Sequence, residues 1–407
     1  MMVSDLEIKI ALRHLFSKYN FSFISFSTYY SIFGLFIGLS SLIIISCISS
    51  GFSLAVNTKL SSIDGHVRIN NLSDTPIPES EIHLIDSLVN NNFNEINIFP
   101  YIEKHAIIRD GAKSYGIIVY GVDKEALEKI FNLSRFVSQS YSFSSSNSII
   151  IGKRLSEILN LKNTNDILMI DPERMFTENS LSAMKLNVEG EFSTEFPEYD
   201  KILVFIPIKK AREFFNLESY SSGLIININD LNNVELFESE LATLLDNKPY
   251  YLTTWKQRHY SLISWLNIYD IPIKLVMLFI TIIGILNIAA SLWMIIIEKN
   301  QEYSILMSLG LSQKQVFNII LIQGCVIAFI GCLLSILFTL IFLNLQLKFN
   351  FISLPEDIYF MNSLPVNISI SYYIFYPLST FILTLLCSYI PARRATLLNI
   401  SETLNYE

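Results

Sequence analysis

A chain of 407 residues that is 51% hydrophobic and only 16% charged departs from the soluble norm, in which about a quarter of residues carry charge. Its net charge of −8, from 29 basic and 37 acidic side chains, argues against a nucleic-acid partner. The charge is also divided: 49 of the 66 charged residues lie between Lys59 and Asp270 and sum to −9, whereas the other 195 residues carry 17 that sum to +1. An acidic soluble domain is embedded in a membrane protein.

In chain order, residues 1–22 predict an amphipathic helix on the cytoplasmic face. Ile8, Leu12, Leu15, Phe16 and Tyr19 share one side, and Lys9, Arg13 and Lys18 can reach anionic headgroups. The 40 uncharged residues between Lys18 and Lys59 hold a first transmembrane helix at 23–50. Ile44-Ile45-Ser46-Cys47 loosely matches a lipoprotein cleavage box, but 46 residues is too long for a signal peptide, so a retained anchor is expected. Residues 51–271 mix short alternating strands (66–71, 114–122, 147–152, 167–170, 185–190, 202–208, 224–228) with helices near 153–161, 208–215 and 231–245. They predict an α+β domain in two lobes, with a boundary near the serine-rich 135–148.

Between Lys274 and Glu298 lie 23 uncharged residues, about 35 Å of helix and enough to cross a hydrocarbon core of about 30 Å. That run marks a second span at 272–297. Uncharged runs of 33 residues before Lys348 and 35 before Arg393 mark spans at 316–345 and 370–392. A connection at 298–315, a loop at 346–369 and a tail at 393–407 complete the chain. The predicted fold is four transmembrane helices with a large α+β domain inserted between helices one and two. Basic residues flank both termini (Lys9, Arg13, Lys18; Arg393, Arg394), which places both in the cytoplasm and faces 51–271 and 346–369 outward.

Chemistry is sparse. All four cysteines (Cys47, Cys325, Cys332, Cys387) fall in apolar segments without a CxxC spacing, and the five histidines are scattered. No metal site and no catalytic residue is expected. Gly152-Lys153 is followed by Arg154 and lacks the phosphate-cradling loop before it, so the chain has no P-loop for ATP. The apolar cores of the spans hold no ionisable groups, which disfavours an ion-gradient mechanism. Energy must come from a partner.

The segment 295–315 (IIIEKNQEYSILMSLGLSQKQ) is the most informative. Ile295, Glu298, Glu302, Ile305 and Leu309 recur at spacings of three and four on one helix face. Gly310 is placed to cap that helix, and Ser312 with Gln315 forms a capping box that starts another. The result is a short helix, a sharp elbow and re-entry, with Ile305, Leu306 and Leu309 exposed. Either the elbow packs on its own bundle as a plain hairpin, or it is a knob that docks a cytoplasmic partner.

Glu298-Lys299-x-x-Glu302-Tyr303-Ser304-Ile305-Leu306-x-x-Leu309-Gly310 resembles the coupling helix of FtsX/MacB-type ABC transporter permeases. Ser50-Gly51-Phe52, Gly65-His66-Val67-Arg68-Ile69, Val188 to Phe192, Glu198-Tyr199-Asp200, Thr254-Trp255 and Pro391 to Ala395 are similar to the permease subunits of the lipoprotein-releasing (Lol) system. Glu191 stands where that family's strand is usually apolar.

The resemblance implies a MacB-like periplasmic core and an FtsX-like permease domain at 272–400, in a non-catalytic subunit of the bacterial inner membrane. It implies two cytoplasmic ABC ATPase subunits that bind ATP and Mg, so that no cofactor belongs to this chain, and a second permease subunit, identical or paralogous. Glu298, Lys299, Glu302, Ile305, Leu306, Leu309 and Gly310 would couple to the ATPase. A triacylated lipoprotein, drawn from among the membrane lipids, would enter a cavity for which Phe33, Phe36, Ile43, Ile44, Met277 and Ile280 are candidates, and a periplasmic carrier would receive it. Two rival functions stay open: a mechanotransmission permease that drives a periplasmic enzyme or efflux partner, and a membrane-anchored receptor without an ATPase.

Overall fold

The computed structural model describes residues 5–15, 23–93, 96–110, 113–131, 147–161, 166–177, 182–194, 196–228, 231–246, 248–355, 361 and 363–395. The expected serine-rich boundary near 135–148, the Phe16, Lys18 and Tyr19 end of the amphipathic helix, and most of the tail lie outside them. The described chain forms two units. One takes in the chain up to Leu54, Trp265–Ser353 and the chain from Ser363; the other is Ala55–Ser264 with Leu354–Asn362.

Among the described residues, four helices are long and apolar enough to cross a membrane: Phe23–Asp64, Tyr260–Glu298, Gln313–Phe349 and Ile370–Ala395. The first runs 14 residues past the expected boundary at 50, without a break at Gly51. In the membrane unit the helices share a core of Leu35, Leu39, Ile43, Ile288, Leu292, Ile327 and Ala328. Small residues allow the close approach that van der Waals packing in lipid requires. Gly331 lies against Leu35 and Gly324 against Ser388, and Ser335 Oγ donates to the Phe36 carbonyl at 2.9 Å. The Asn367 N–H, in the segment before the fourth span, donates to the Cys47 carbonyl at 3.0 Å.

The N-terminal helix, Asp5–Leu15, turns Glu7, Ala11, His14 and Leu15 inward, while Leu6, Ile8 and Leu12 stay exposed. Leu15 therefore does not share the outward side expected for it. Its burial in the bundle core reflects packing between helices, which periodicity within one helix does not reveal.

Among its described residues the charged unit has eleven strands: β1 Val67–Asn71, β2 Ile77–Pro78, β3 Asn97–Asp110, β4 Lys113–Val122, β5 Ser148–Gly152, β6 Asp166–Ile170, β7 Ala183–Phe192, β8 Leu203–Pro207, β9 Tyr220–Ser221, β10 Gly223–Asn227 and β11 Tyr250–Thr254. Nine form one sheet in the order β11-β1-β10-β3-β4-β8-β5-β7-β6, and an added β3–β6 pairing closes its last six strands into a ring. Inside the ring, Ile102, Ile108, Ile117, Val119, Ile149, Ile151, Met169 and Val204 make one apolar core. The 14-residue β3 serves both halves of the unit: Asn97–Tyr101 pairs with β10, and Ile102–Asp110 pairs with β4. The two halves are thus joined along β3.

The segments that carried the family likeness have local explanations. Thr254 and Gln257 form a capping box that starts the helix Trp255–Arg258. Asp200 is buried and accepts from the Thr194 N–H at 2.9 Å and the Thr194 hydroxyl at 2.7 Å, holding the turn after β7. Glu191, near the end of β7, accepts a hydrogen bond from Ser156.

Candidate coupling elbow and lipid-facing residues

The second spanning helix ends at Glu298, and a nine-residue helix, Asn300–Ser308, follows. Lys299 leaves helical geometry (φ −96, ψ 10), yet the hydrogen-bond ladder runs through it: its N–H donates to the Ile295 carbonyl at 3.0 Å, and the Tyr303 N–H donates to its carbonyl at 2.9 Å. At the other end the Gly310 N–H bonds the Met307 carbonyl (3.1 Å) and the Leu311 N–H bonds the Leu306 carbonyl (3.0 Å), with Gly310 at φ +104. This paired pattern closes a helix whose next residue must be left-handed. The Ser312 N–H then donates to Gln315 Oε1 at 2.8 Å, and the Gln315 N–H donates to Ser312 Oγ at 3.4 Å. The third spanning helix starts there, as the spacing predicts.

The elbow has two faces. Tyr303 and Ser304 are buried, and Tyr303 sits among Ala11, Ile296, Val316, Ile319, Ile320 and Ala392. Its hydroxyl accepts from Gln323 Nε2 at 3.3 Å, and burial pushes its pKa well above the usual phenol value. The His14 ring lies 5.4 Å from the Tyr303 ring, with Nε2 3.3 Å from Glu302 Oε2. Burial holds His14 below the ordinary imidazole value against the pull of that carboxylate. Glu302 also pairs with Lys299. The N-terminal helix is thus pinned to the elbow, a contact that sequence spacing gave no means to detect. On the opposite face Ile305 is 47% and Leu309 77% exposed, and Leu306 is half-buried. Glu298 Oε2 and Asn300 Oδ1 are buried and lack a hydrogen-bond partner. An apolar ridge beside charged groups suits docking.

The six candidate lipid-chain residues do not gather in one cavity of this chain. Phe33 is exposed and Phe36 half-buried, both along an apolar groove with Tyr29, Tyr30, Ile32 and Leu334. Ile43 is fully buried in the bundle core, and Ile44 packs beside it. Met277 Sδ accepts from Ser46 Oγ at 3.8 Å. Ile280 lines a separate internal cavity with Leu39, Leu42, Thr281 and Thr384.

These features define a multi-pass membrane protein with a folded extramembrane domain. Residues 28–244 match the MacB-like periplasmic core domain and residues 274–400 the FtsX-like permease C-terminal domain. The chain belongs to the FtsX/MacB-type ABC permeases, membrane subunits that work with an ATPase partner, and its MacB-like domain is periplasmic. It is 25% identical to the lipoprotein-releasing system transmembrane protein LolC of Xylella fastidiosa, with 100% of both chains covered. It is 21% identical to the corresponding LolE of Haemophilus influenzae over 92% of this chain and 93% of that one. The periplasmic region of MacB from Actinobacillus actinomycetemcomitans aligns at 14% identity and a TM-score of 0.34, covering 50% of this chain and 95% of that structure.

Proposed function

We propose that this chain is a permease subunit that extracts lipoproteins bound for the outer membrane from the inner membrane and passes them to a periplasmic carrier. The observation that carries the reading is similarity along the whole chain to lipoprotein-releasing transmembrane proteins of both the LolC and the LolE kind. Both termini and the elbow face the cytoplasm, where two ATPase subunits bind ATP and Mg. Their closure presses on Glu298, Lys299, Glu302 and the ridge of Ile305, Leu306 and Leu309, with Gly310 fixing the turn. The first two spanning helices carry that motion outward, in partnership with a second permease subunit. Each methylene drawn from lipid costs about 0.8 kcal/mol, so extraction needs both the nucleotide cycle and a carrier that receives the acyl chains. Phe33 and Phe36, on the groove side of the first span, and Ile44, Met277 and Ile280 are the proposed contacts for the acyl chains.

The test is depletion of the chain in its host, followed by separation of the inner and outer membranes. Outer-membrane lipoproteins should accumulate in the inner membrane within a few generations. Normal lipoprotein sorting together with a division, envelope or efflux defect would overturn the reading in favour of mechanotransmission without lipoprotein transport.

A further inference from the structure

The Gly65–Ile69 segment folds around a buried ion cluster inside the charged unit. Arg68 is 1% exposed and every nitrogen of its guanidinium is engaged. Nε donates to the Asp64 carbonyl at 3.1 Å, Nη1 to Glu103 Oε2 at 2.5 Å, and Nη2 to the Tyr120 hydroxyl at 2.8 Å and to the Asp64 carboxylate. The Tyr101 ring lies 4.8 Å from the guanidinium carbon. From the other side Arg258 Nε donates to Asp64 Oδ2 at 2.6 Å, and Arg258 Nη2 lies 3.5 Å from Glu103 Oε2. His259 Nε2 is 3.3 Å from Asp64 Oδ2, and its Nδ1 meets the Tyr199 hydroxyl at 3.0 Å.

The position of these groups in the chain matters. Asp64 is the last residue of the first spanning helix, and Arg258 and His259 immediately precede Tyr260, the first residue of the second. Arg68, Glu103 and Tyr120 belong to β1, β3 and β4. Two guanidinium groups meet two carboxylates, so their charges balance. Buried ion pairs seldom stabilise a fold more than apolar residues of the same volume would. What they supply is direction: each bond fixes an angle, where an apolar contact can slide.

We propose that the Asp64–Arg68–Glu103–Arg258 cluster is a transmission joint, a set of positioning residues that locks the outer ends of the first two spanning helices to the sheet. The inference rests on the proposed function, because a joint matters only where the helices carry work.

The experiment uses the full chain in complex with its ATPase. Glu103→Gln combined with Arg258→Met removes one charge of each sign and keeps the Asp64–Arg68 pair. On a background with the four cysteines replaced by alanine, spin labels at Thr58→Cys, Tyr260→Cys and Leu236→Cys report distances within the charged unit. The parent should give narrow distributions. The double variant should widen the Thr58–Leu236 and Tyr260–Leu236 distributions about twofold and lower nucleotide-driven lipoprotein release about tenfold, with ATP hydrolysis within about twofold of the parent. Unchanged widths, or release equal to the parent, would overturn the joint. Should the double variant fail to fold, Arg258→Lys keeps the charge but loses the fork, and should give an intermediate widening; parental widths in it also refute the proposal. A parent complex that hydrolyses ATP yet releases no lipoprotein would refute the proposed function instead, while the label widths would still judge the joint.

Discussion

Gly65 shows how much one position can specify. It follows the last helical residue at φ +71, and a Cβ there would come within 2.2 Å of Ile225 Cγ2. Left-handed backbone and overpacking each penalise a side chain, so Gly65→Ala should cost roughly 2–4 kcal/mol. At Gly116, where a Cβ meets nothing within 4 Å, alanine should change stability by no more than about 0.5 kcal/mol. Thermal unfolding of the two variants in detergent checks the contrast. The neighbouring His66 is 8% exposed and accepts the Ile228 N–H at Nδ1, 3.0 Å away. Burial holds its pKa down to about 4, against 6.5 for a free imidazole. The unfolded chain therefore binds a proton more readily than the folded one. The stabilisation is complete above the unfolded value and is lost as pH falls through it towards about 4, amounting to about 2 kcal/mol between about pH 7.5 and about pH 5. Protection factors of the Ile226–Ile228 amides, corrected for the intrinsic pH dependence of exchange, should fall as pH drops across that interval, and His66→Gln should flatten the dependence.

The elbow divides its work between cap and ridge, and substitutions can separate the two. Ser312→Ala removes the hydroxyl that receives the Gln315 N–H and should cost about 1 kcal/mol of stability. Leu309→Asp, at a side chain 77% exposed, should leave stability within about 0.5 kcal/mol of the parent while reducing co-purification of the ATPase about tenfold. An unchanged yield of ATPase would remove Leu309 from the docking surface. Caps and turns of this kind are legible in sequence because they depend on residues within about four positions of one another. Strand β3 was not legible. Its run NIFPYIEKHAIIRD carries Pro100, Glu103, Lys104 and His105, which break any alternation, and it changes partners midway between β10 and β4. Its first five residues are held in place by β10, far along the chain.

At the scale of the whole molecule, the division of charge between Lys59–Asp270 and the rest is legible in the sequence, because desolvation keeps charge out of lipid whatever the fold. The ion cluster lay beyond such reading: its members run from Asp64 to His259 and meet only once β1, β3, β4 and two helix ends are in place. Membrane orientation is open to direct labelling. On a cysteine-free background, Leu84→Cys should react with an impermeant maleimide in spheroplasts, whereas Leu309→Cys should react only after the membrane is opened. The reverse pattern would invert the topology.

The first spanning helix counts 42 residues without interruption, about 63 Å, or twice the thickness of the hydrocarbon layer. A rod of that length acts as an oar: a tilt of about 5° at one end sweeps the other through roughly 5 Å. It also fixes rotational phase. Adding one residue between Leu54 and Asp64 would turn Asp64 by about 100° around the helix axis relative to Leu54.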